Sequence, residues 1–400
     1  MVSHSRRTVL LGVVLAIATP LWAAGPIKVP LVTTAIPADT TYVPPSNALG
    51  GAFPGQFVLR DEKPTTTFTL GGIEYTVQTE TPPKAPDNQK LGTIVEVESK
   101  LLLKNTAQSF TFGSDASAKP MELTLDKGRK YLLSGEGYSF SLYIDPKVKK
   151  CVTTQGMLRP AGVQTGKIGS SPQSTIAIFD ANMDGFYTSD KDGIVIGKPI
   201  EFVDSYKTAK KLYLVQPLSK YISTPGGIFE IQNLAKDGSE LTVLPYAGAT
   251  ANLEVIAPPK YCGQIIMTSS DANLNVTLNG KAGESVKIIP GAYTMLAARL
   301  YTPSQDKSRP QGQWMYVSGN EMPALQVKAG AKQTLTLSGP KVLEFQAAMV
   351  KGKVNINPET LRTKGQAGET YLPAYDRTKP PEVTLNVDGK STSLGKMEFG

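Results

Sequence analysis

Apolar and polar residues alternate with a period of two along most of this chain. Residues 66–70 (T-T-F-T-L) and 73–77 (I-E-Y-T-V) flank Gly71-Gly72, which predicts a hairpin closed by a two-residue turn. Residues 273–278 alternate strictly and meet turn chemistry at Asn279-Gly280; residues 382–387 do the same before Asp388-Gly389. Apolar positions at helical spacing are almost missing after residue 24. Short alternating runs with turn residues every 8–12 positions predict an all-β chain built as two to three antiparallel β-sandwich domains in tandem.

The N-terminal segment breaks this pattern. Arg6 and Arg7 precede an apolar run over 9–18, and Leu21-Trp22-Ala23-Ala24 supplies small residues for cleavage, so 1–24 reads as a signal peptide. The run is shorter than the roughly 20 apolar residues of a membrane span, and no transmembrane segment is expected in the mature chain. The chain is thus expected to be exported to the periplasm, cell surface or exterior. Residues 5–10 also resemble a twin-arginine signal, but paired arginines occur in ordinary secretory signals too, and the general secretory route is preferred.

Composition sets the remaining boundaries. Residues 25–55 form a Pro/Thr-rich lead-in with Pro44-Pro45 and Pro54. Residues 56–256 form a β-rich region, either one large sandwich or two small ones, interrupted by a proline-rich loop over 81–86. Ala257-Pro258-Pro259-Lys260 reads as a linker to a small sandwich at 261–339. Residues 341–400 are expected to form a separate small sandwich or to complete the preceding one, and 396–400 read as the start of a further strand.

The most specific chemistry lies in residues 180–193, D-A-N-M-D-G-F-Y-T-S-D-K-D-G. Oxygen-bearing side chains recur at Asp180, Asn182 and Asp184, a glycine follows at the sixth position, and Phe186 offers its carbonyl at the seventh. Calcium takes six to eight hard oxygen ligands, and the glycine lets the backbone turn inside the ring. The bidentate acid expected at the twelfth position is replaced by Lys191; either of its neighbours, Asp190 or Asp192, can close the site. The stretch resembles the EF-hand-like loops of extracellular proteins. Strand-like flanks at 174–179 and 194–196 make it a strand–loop–strand clip, and the resemblance implies a structural calcium ion. The alternative is an aspartate-rich turn bonded to its own backbone.

Charge and rare residues exclude several functions. Lys and Arg total 42 against 34 Asp and Glu, a formal charge of +8, with both signs interspersed. No block of like charge suggests nucleic-acid binding, which is not expected. The single histidine is His4. Without His in the mature chain there is no Ser-His-Asp or Cys-His triad and no imidazole zinc site. A carboxylate-based hydrolase stays open as an alternative, with no pair of acids to nominate. In an oxidising compartment Cys151 and Cys262 are expected to pair, closing a loop of about 110 residues worth roughly 4–5 kcal/mol; two unpaired thiols are the alternative. Trp314 and Tyr316 share one face of a strand and are candidate glycan contacts, against the alternative that they pack in the core.

Two further resemblances concern family. The V-K-I-I-P-G-A-Y-T-M run at 286–295 resembles small sandwich domains of the carboxypeptidase-regulatory or collagen-adhesin B type. Residues 227–231, 236–246, 192–197 and 395–400 resemble phrases of large exported proteins of environmental bacteria such as planctomycetes. That resemblance implies an exported all-β protein and carries over no activity. The expectation is a non-catalytic binding or structural protein with calcium as its cofactor. Its partner would be a protein or glycan of the cell envelope or exterior; a carbohydrate-binding module is the nearest alternative.

Overall fold

The computed structural model describes residues 25–44, 56–60, 65–79, 90, 92–97, 100–113, 120–142, 151–169, 172–188, 192–204, 208–304, 312–339, 342–350, 353–373, 382–387 and 390–396. Residues 1–24, where a signal peptide is expected, the 81–86 loop, Asp190 and the last four residues lie outside them. Among the described residues there is no α-helix, only one short 3-10 turn at Asp126–Gly128, and the chain is all-β with several sheets. No helix among them is long and apolar enough to cross a membrane.

The N-terminal unit follows directly from the alternation. Thr65–Leu70 and Ile73–Thr79 pair as expected, with Leu70 opposite Ile73. Gly71 and Gly72 both have positive φ, as a tight hairpin turn demands. With Leu101–Lys104 and Ser109–Phe112 they make a four-stranded sheet. A five-stranded sheet built on Lys130–Leu142 and Cys151–Pro160 joins it in one core, through Leu70, Tyr75, Leu103, Leu123, Leu133 and Leu158.

The rest of the chain is organised by one twelve-stranded sheet. Its first strands are Ile27–Pro30, Glu240–Pro245, Gly227–Leu234 and Tyr221–Thr224. They bury Val29, Ile222, Phe229, Leu241 and Val243 against Ile176, Ile178, Ile194 and Ile196 of a second five-stranded sheet. A short parallel pairing, Tyr221 to Leu274 and Ile222 to Asn275, then carries the sheet onward. Its later strands include Leu274–Leu278, Cys262–Ser269, Gly291–Thr302 and Gln313–Ser318. These bury Ile265, Met267, Val276, Met295 and Val317 against Leu253, Val255 and Ile288.

The sheets do not divide where composition suggests. Ala251–Ile256, ahead of the expected 257–260 linker, pairs with Ser285–Ile288 and Lys332–Thr336 beyond it. Ala257–Lys260 is therefore a turn between two strands of one sandwich. Thr370–Pro373 pairs with Gln313–Ser318, so that part of the C-terminal segment extends the long sheet, whereas Glu382–Val387 and Lys390–Lys396 pair only with each other. In the 286–295 run, Pro290-Gly291 passes the chain from the small sheet to the long one. Tyr293 there is fully buried and donates its hydroxyl to the Ile289 carbonyl at 2.7 Å.

The lead-in is more structured than its composition implies. Ile27–Pro30 edges the long sheet, Val32–Ala35 pairs with Gly162–Ile168, and Thr40–Val43 runs parallel to Ala209–Leu214. One short segment thus supplies a strand to three sheets. Pro30 fits because an edge strand leaves one side without ladder bonds.

Gly166 makes room for this strap: a Cβ there would come within 2.6 Å of Leu31 Cδ2 and 2.9 Å of Val29 Cγ1. Gly166→Ala is expected to lower unfolding stability by about 1–3 kcal/mol through overpacking, and to speed proteolysis between residues 25 and 44. Urea unfolding checks it; parent-like stability would show that the strap is loosely seated.

Candidate functional site

Ser174–Phe179 and Gly193–Ile196 form an antiparallel pair, with Phe179 opposite Gly193, and the 180–192 loop spans their ends as a strand–loop–strand unit. Gly185 has φ of +77°, and a Cβ there would meet the Gly71 nitrogen at 2.6 Å. No other residue fits, because the Asp184 carbonyl accepts the Gly71 N–H at 2.7 Å across the junction with the N-terminal unit.

The loop's apolar residues divide between two cores. Met183 adopts a left-handed φ of 57°, a conformation costing a non-glycine residue about 1 kcal/mol. Its side chain is buried in the N-terminal core beside Leu70 and Leu125, which offsets that strain. Tyr187 is buried in the other core with Ile178 and Ile194. Phe186, free by its position to turn inward, instead lies half-buried between two cations: Arg129 Cζ is 5.0 Å and Lys236 Nζ 4.1 Å from its ring centre. Arg129 also donates to the Gly185 carbonyl.

The acids organise the loop from inside. Asp180 is completely buried and accepts from the Tyr131 hydroxyl at 2.8 Å, the Gly185 N–H at 2.8 Å and the Asp184 N–H at 3.2 Å. Tyr131 belongs to the N-terminal unit, so this carboxylate binds the two units directly. Asp192, 3 % exposed, accepts from the Ala181 N–H at 3.1 Å and the Thr188 N–H at 2.5 Å. Asp192 thus ties together two amides of the described loop; Asp190, the other acid expected to close the site, lies outside the described residues. Asn182 donates to Asp184 Oδ2 at 2.9 Å, and Asp184 Oδ1 accepts from the Phe186 N–H at 2.8 Å.

Neither Asp180 nor Asp192 has a lysine or arginine ion-pair partner among the described residues. Burial, with a smaller contribution from Asp184, pushes the Asp180 carboxyl up to about 6 against the pull of its hydrogen bonds. Burial, reinforced by Asp180 and Asp184, pushes Asp192 up to about 8. Thr188 Oγ1 is buried with no hydrogen-bond partner among the described residues.

These features bear on whether a hard cation fits. A carboxylate offers about four lone-pair positions; Asp180 uses three on protein donors and Asp192 two. Together with the orphaned Thr188 hydroxyl, this leaves unused hard-oxygen capacity inside the loop. Asn182 and Asp184 are occupied with each other and would have to turn inward. Among the described residues no three His, Cys, Asp or Glu already converge on one point.

No protein-family model matches the chain, and neither the curated proteins nor the solved structures offer a match.

The other sequence candidates fall elsewhere. The expected Cys151–Cys262 bridge is not formed: Cys262 is a free, exposed thiol. Its position opens Cys262–Ser269 of the long sheet, whereas Cys151 opens a strand of the N-terminal unit, so the two lie in different sheets. Trp314 and Tyr316 do share one face, since both stack on Arg299. Trp314 is further engaged edge-on by Phe202 at 4.9 Å and by the tilted ring of Tyr301 at 4.9 Å. Sequence reasoning missed Tyr131 and Arg299. Neither belongs to a motif, and only strand pairing over long separations brings each to its partners.

The raised carboxyls set a pH dependence for chelated protein. Free aspartates titrate near about 3.9, so between about pH 4 and pH 8 the folded chain retains protons that the unfolded chain has lost. Stability in chelator is therefore expected to fall as pH rises through that window, by roughly 3 kcal/mol from Asp180 alone, and to level off above it. Urea unfolding across the window tests this; a gain of stability towards pH 8 would refute it.

Proposed function

We propose that this chain is an exported, non-catalytic binding or structural protein in which the 180–192 loop is a calcium clip between two β cores. The observation that carries the reading is the pair of buried carboxylates, Asp180 and Asp192, at that junction without a basic partner among the described residues. Clustered carboxylates away from water are costly as anions unless a proton or a cation joins them. Asp180, Asp192, Asn182, Asp184 and the Phe186 carbonyl would hold the ion, with the Thr188 hydroxyl as a further oxygen donor. Bound calcium would neutralise the buried charge and fix the loop; it has no chemical step to perform. The cation's role is mechanical because the loop's contacts, Met183 and Tyr187 in separate cores and Tyr131 on Asp180, are contacts between parts of the fold.

Export follows from the 1–24 segment and a binding or architectural role from the absence of histidine chemistry in the rest of the chain. The partner class is a cell-envelope or extracellular protein or glycan.

Thermal unfolding with and without calcium tests the clip. Extracellular calcium modules bind in the 10⁻⁴–10⁻³ M range, so about 10 mM calcium should stabilise the parent by about 1–3 kcal/mol. Asp184→Ala, which spares the Tyr131–Asp180 bond, should abolish the shift, as should Asp192→Asn. An unshifted parent at about 10 mM calcium would rule the clip out.

A further inference from the structure

Arg299 lies in Gly291–Thr302, directly opposite Tyr316 in the neighbouring strand and opposite Gln264 on its other side. Its guanidinium is held between two rings two residues apart, 4.7 Å from the centre of Trp314 and 4.8 Å from that of Tyr316. It donates through Nη2 to the Tyr316 hydroxyl at 2.8 Å. Its Nε is buried with no partner among the described residues. Gln264 bonds elsewhere: its amide oxygen accepts from the Leu214 N–H and its amide nitrogen donates to the Lys198 carbonyl. No carboxylate pairs with Arg299 among the described residues.

A guanidinium carries five N–H donors in a planar fork, and here the protein uses one. Two aromatic faces recover part of the hydration that the charge gives up, by about 0.5–2 kcal/mol each, but rings accept no conventional hydrogen bonds. The side chain is half-buried, so its nitrogens other than Nε are the atoms that can meet a ligand. Phe202 and Tyr301, which pack on Trp314, also line a cleft of about 380 Å³ whose wall carries Lys210 and Lys211 against Asp39 and Glu201. Lys211 is paired with Asp39 at 3.3 Å.

We propose that Arg299, framed by Trp314 and Tyr316, is a binding site for a carboxylate, borne by a uronic-acid sugar or by a small organic acid. Planar oxyanions match the guanidinium fork, and the flanking rings hold the fork rigid, so little freedom is lost on binding. The site gives a ligand chemistry to the binding role proposed above, and it does not depend on the calcium loop. Trp314 is a stacking partner of the arginine here, so recognition runs through charge, with the rings as the frame.

Calorimetric titration of the full chain with galacturonate, its short oligomers, citrate and neutral galactose oligomers separates the sources. The expected result is saturable binding of carboxylates and none of the neutral sugar. Stronger binding of galacturonate oligomers than of citrate assigns the site to uronate polymers, and the reverse order to small acids. Arg299→Gln should weaken binding at least tenfold, on the order of 1.4 kcal/mol. Arg299→Lys keeps the charge without the fork and should fall between. The quenching of tryptophan fluorescence should track the heats and vanish in Trp314→Phe. Calcium-dependent melting of each variant, unchanged from the parent, separates failure here from failure of the clip. Binding that is absent for every carboxylate, or equal in Arg299→Gln and the parent, would overturn the proposal.

Discussion

The Asp180 carboxylate is the contact on which the relation between the two halves of the N-terminal region depends. It is wholly buried, and it is satisfied from both sides: by the Tyr131 hydroxyl of one unit and by amides of its own loop. A buried acceptor that loses a donor bears the full cost of desolvation, about 1–3 kcal/mol and more for a charge. Any movement of the N-terminal sandwich away from the loop would strip Asp180 of Tyr131 and withdraw Met183 from its core at once. Polar and apolar contacts therefore hold the same orientation, and the Gly71 to Asp184 backbone bond adds direction to it.

Beyond that junction the fold is unified by sheet continuity. The twelve-stranded sheet contributes to two cores, so neither core can be dismantled without disturbing strands that the other uses. Its reverse face is covered around Ile266, Ala297 and Tyr301 by Val43, Leu212 and Leu214. The N-terminal strap contributes to this arrangement by edging three sheets in succession. These pairings join residues roughly 100–200 positions apart, and such contacts form only after much of the chain is already ordered.

Local patterns were legible because their causes are local. The Gly71-Gly72 hairpin and the strand–loop–strand frame of residues 174–196 follow from turn chemistry and alternation alone. Alternation names the face a side chain takes, never the strand it will meet. For that reason Ala257–Lys260 reads as a linker: prolines announce a break in pairing, but only the distant partners of Ala251–Ile256 show that both sides belong to one sandwich. The same limit hid Tyr131 from Asp180, 49 positions away, and put a bridge between cysteines whose strands lie in separate sheets. At the loop's end, motif counting stops at Lys191; the role of Asp192 as an acceptor rests on two N–H donors whose aim is set by the folded turn.

Glu369 provides an internal comparison for the loop. It too is completely buried, and it accepts from a tyrosine hydroxyl, Tyr371 at 2.9 Å, and from two amides, Ser338 and Ala367, each at 2.9 Å. The cradle is the one that surrounds Asp180, so a tyrosine and two amides are enough to seat a single buried carboxylate in this protein. Glu254 is handled differently, with Lys332 at 3.1 Å and the Gly283 amide. What sets Asp180 apart is its company: Asp184 acts on it as a like charge, and Asp180 and Asp184 act in the same way on Asp192. Arg299 is the mirror case, a positive group held by rings and a hydroxyl in place of an acid. The fold seats lone buried acidic side chains at Glu369 and Glu254 with donors of its own. At the loop and at Arg299 the described residues supply no ion-pair partner of opposite charge, which a cation at the loop and a carboxylate at Arg299 would provide.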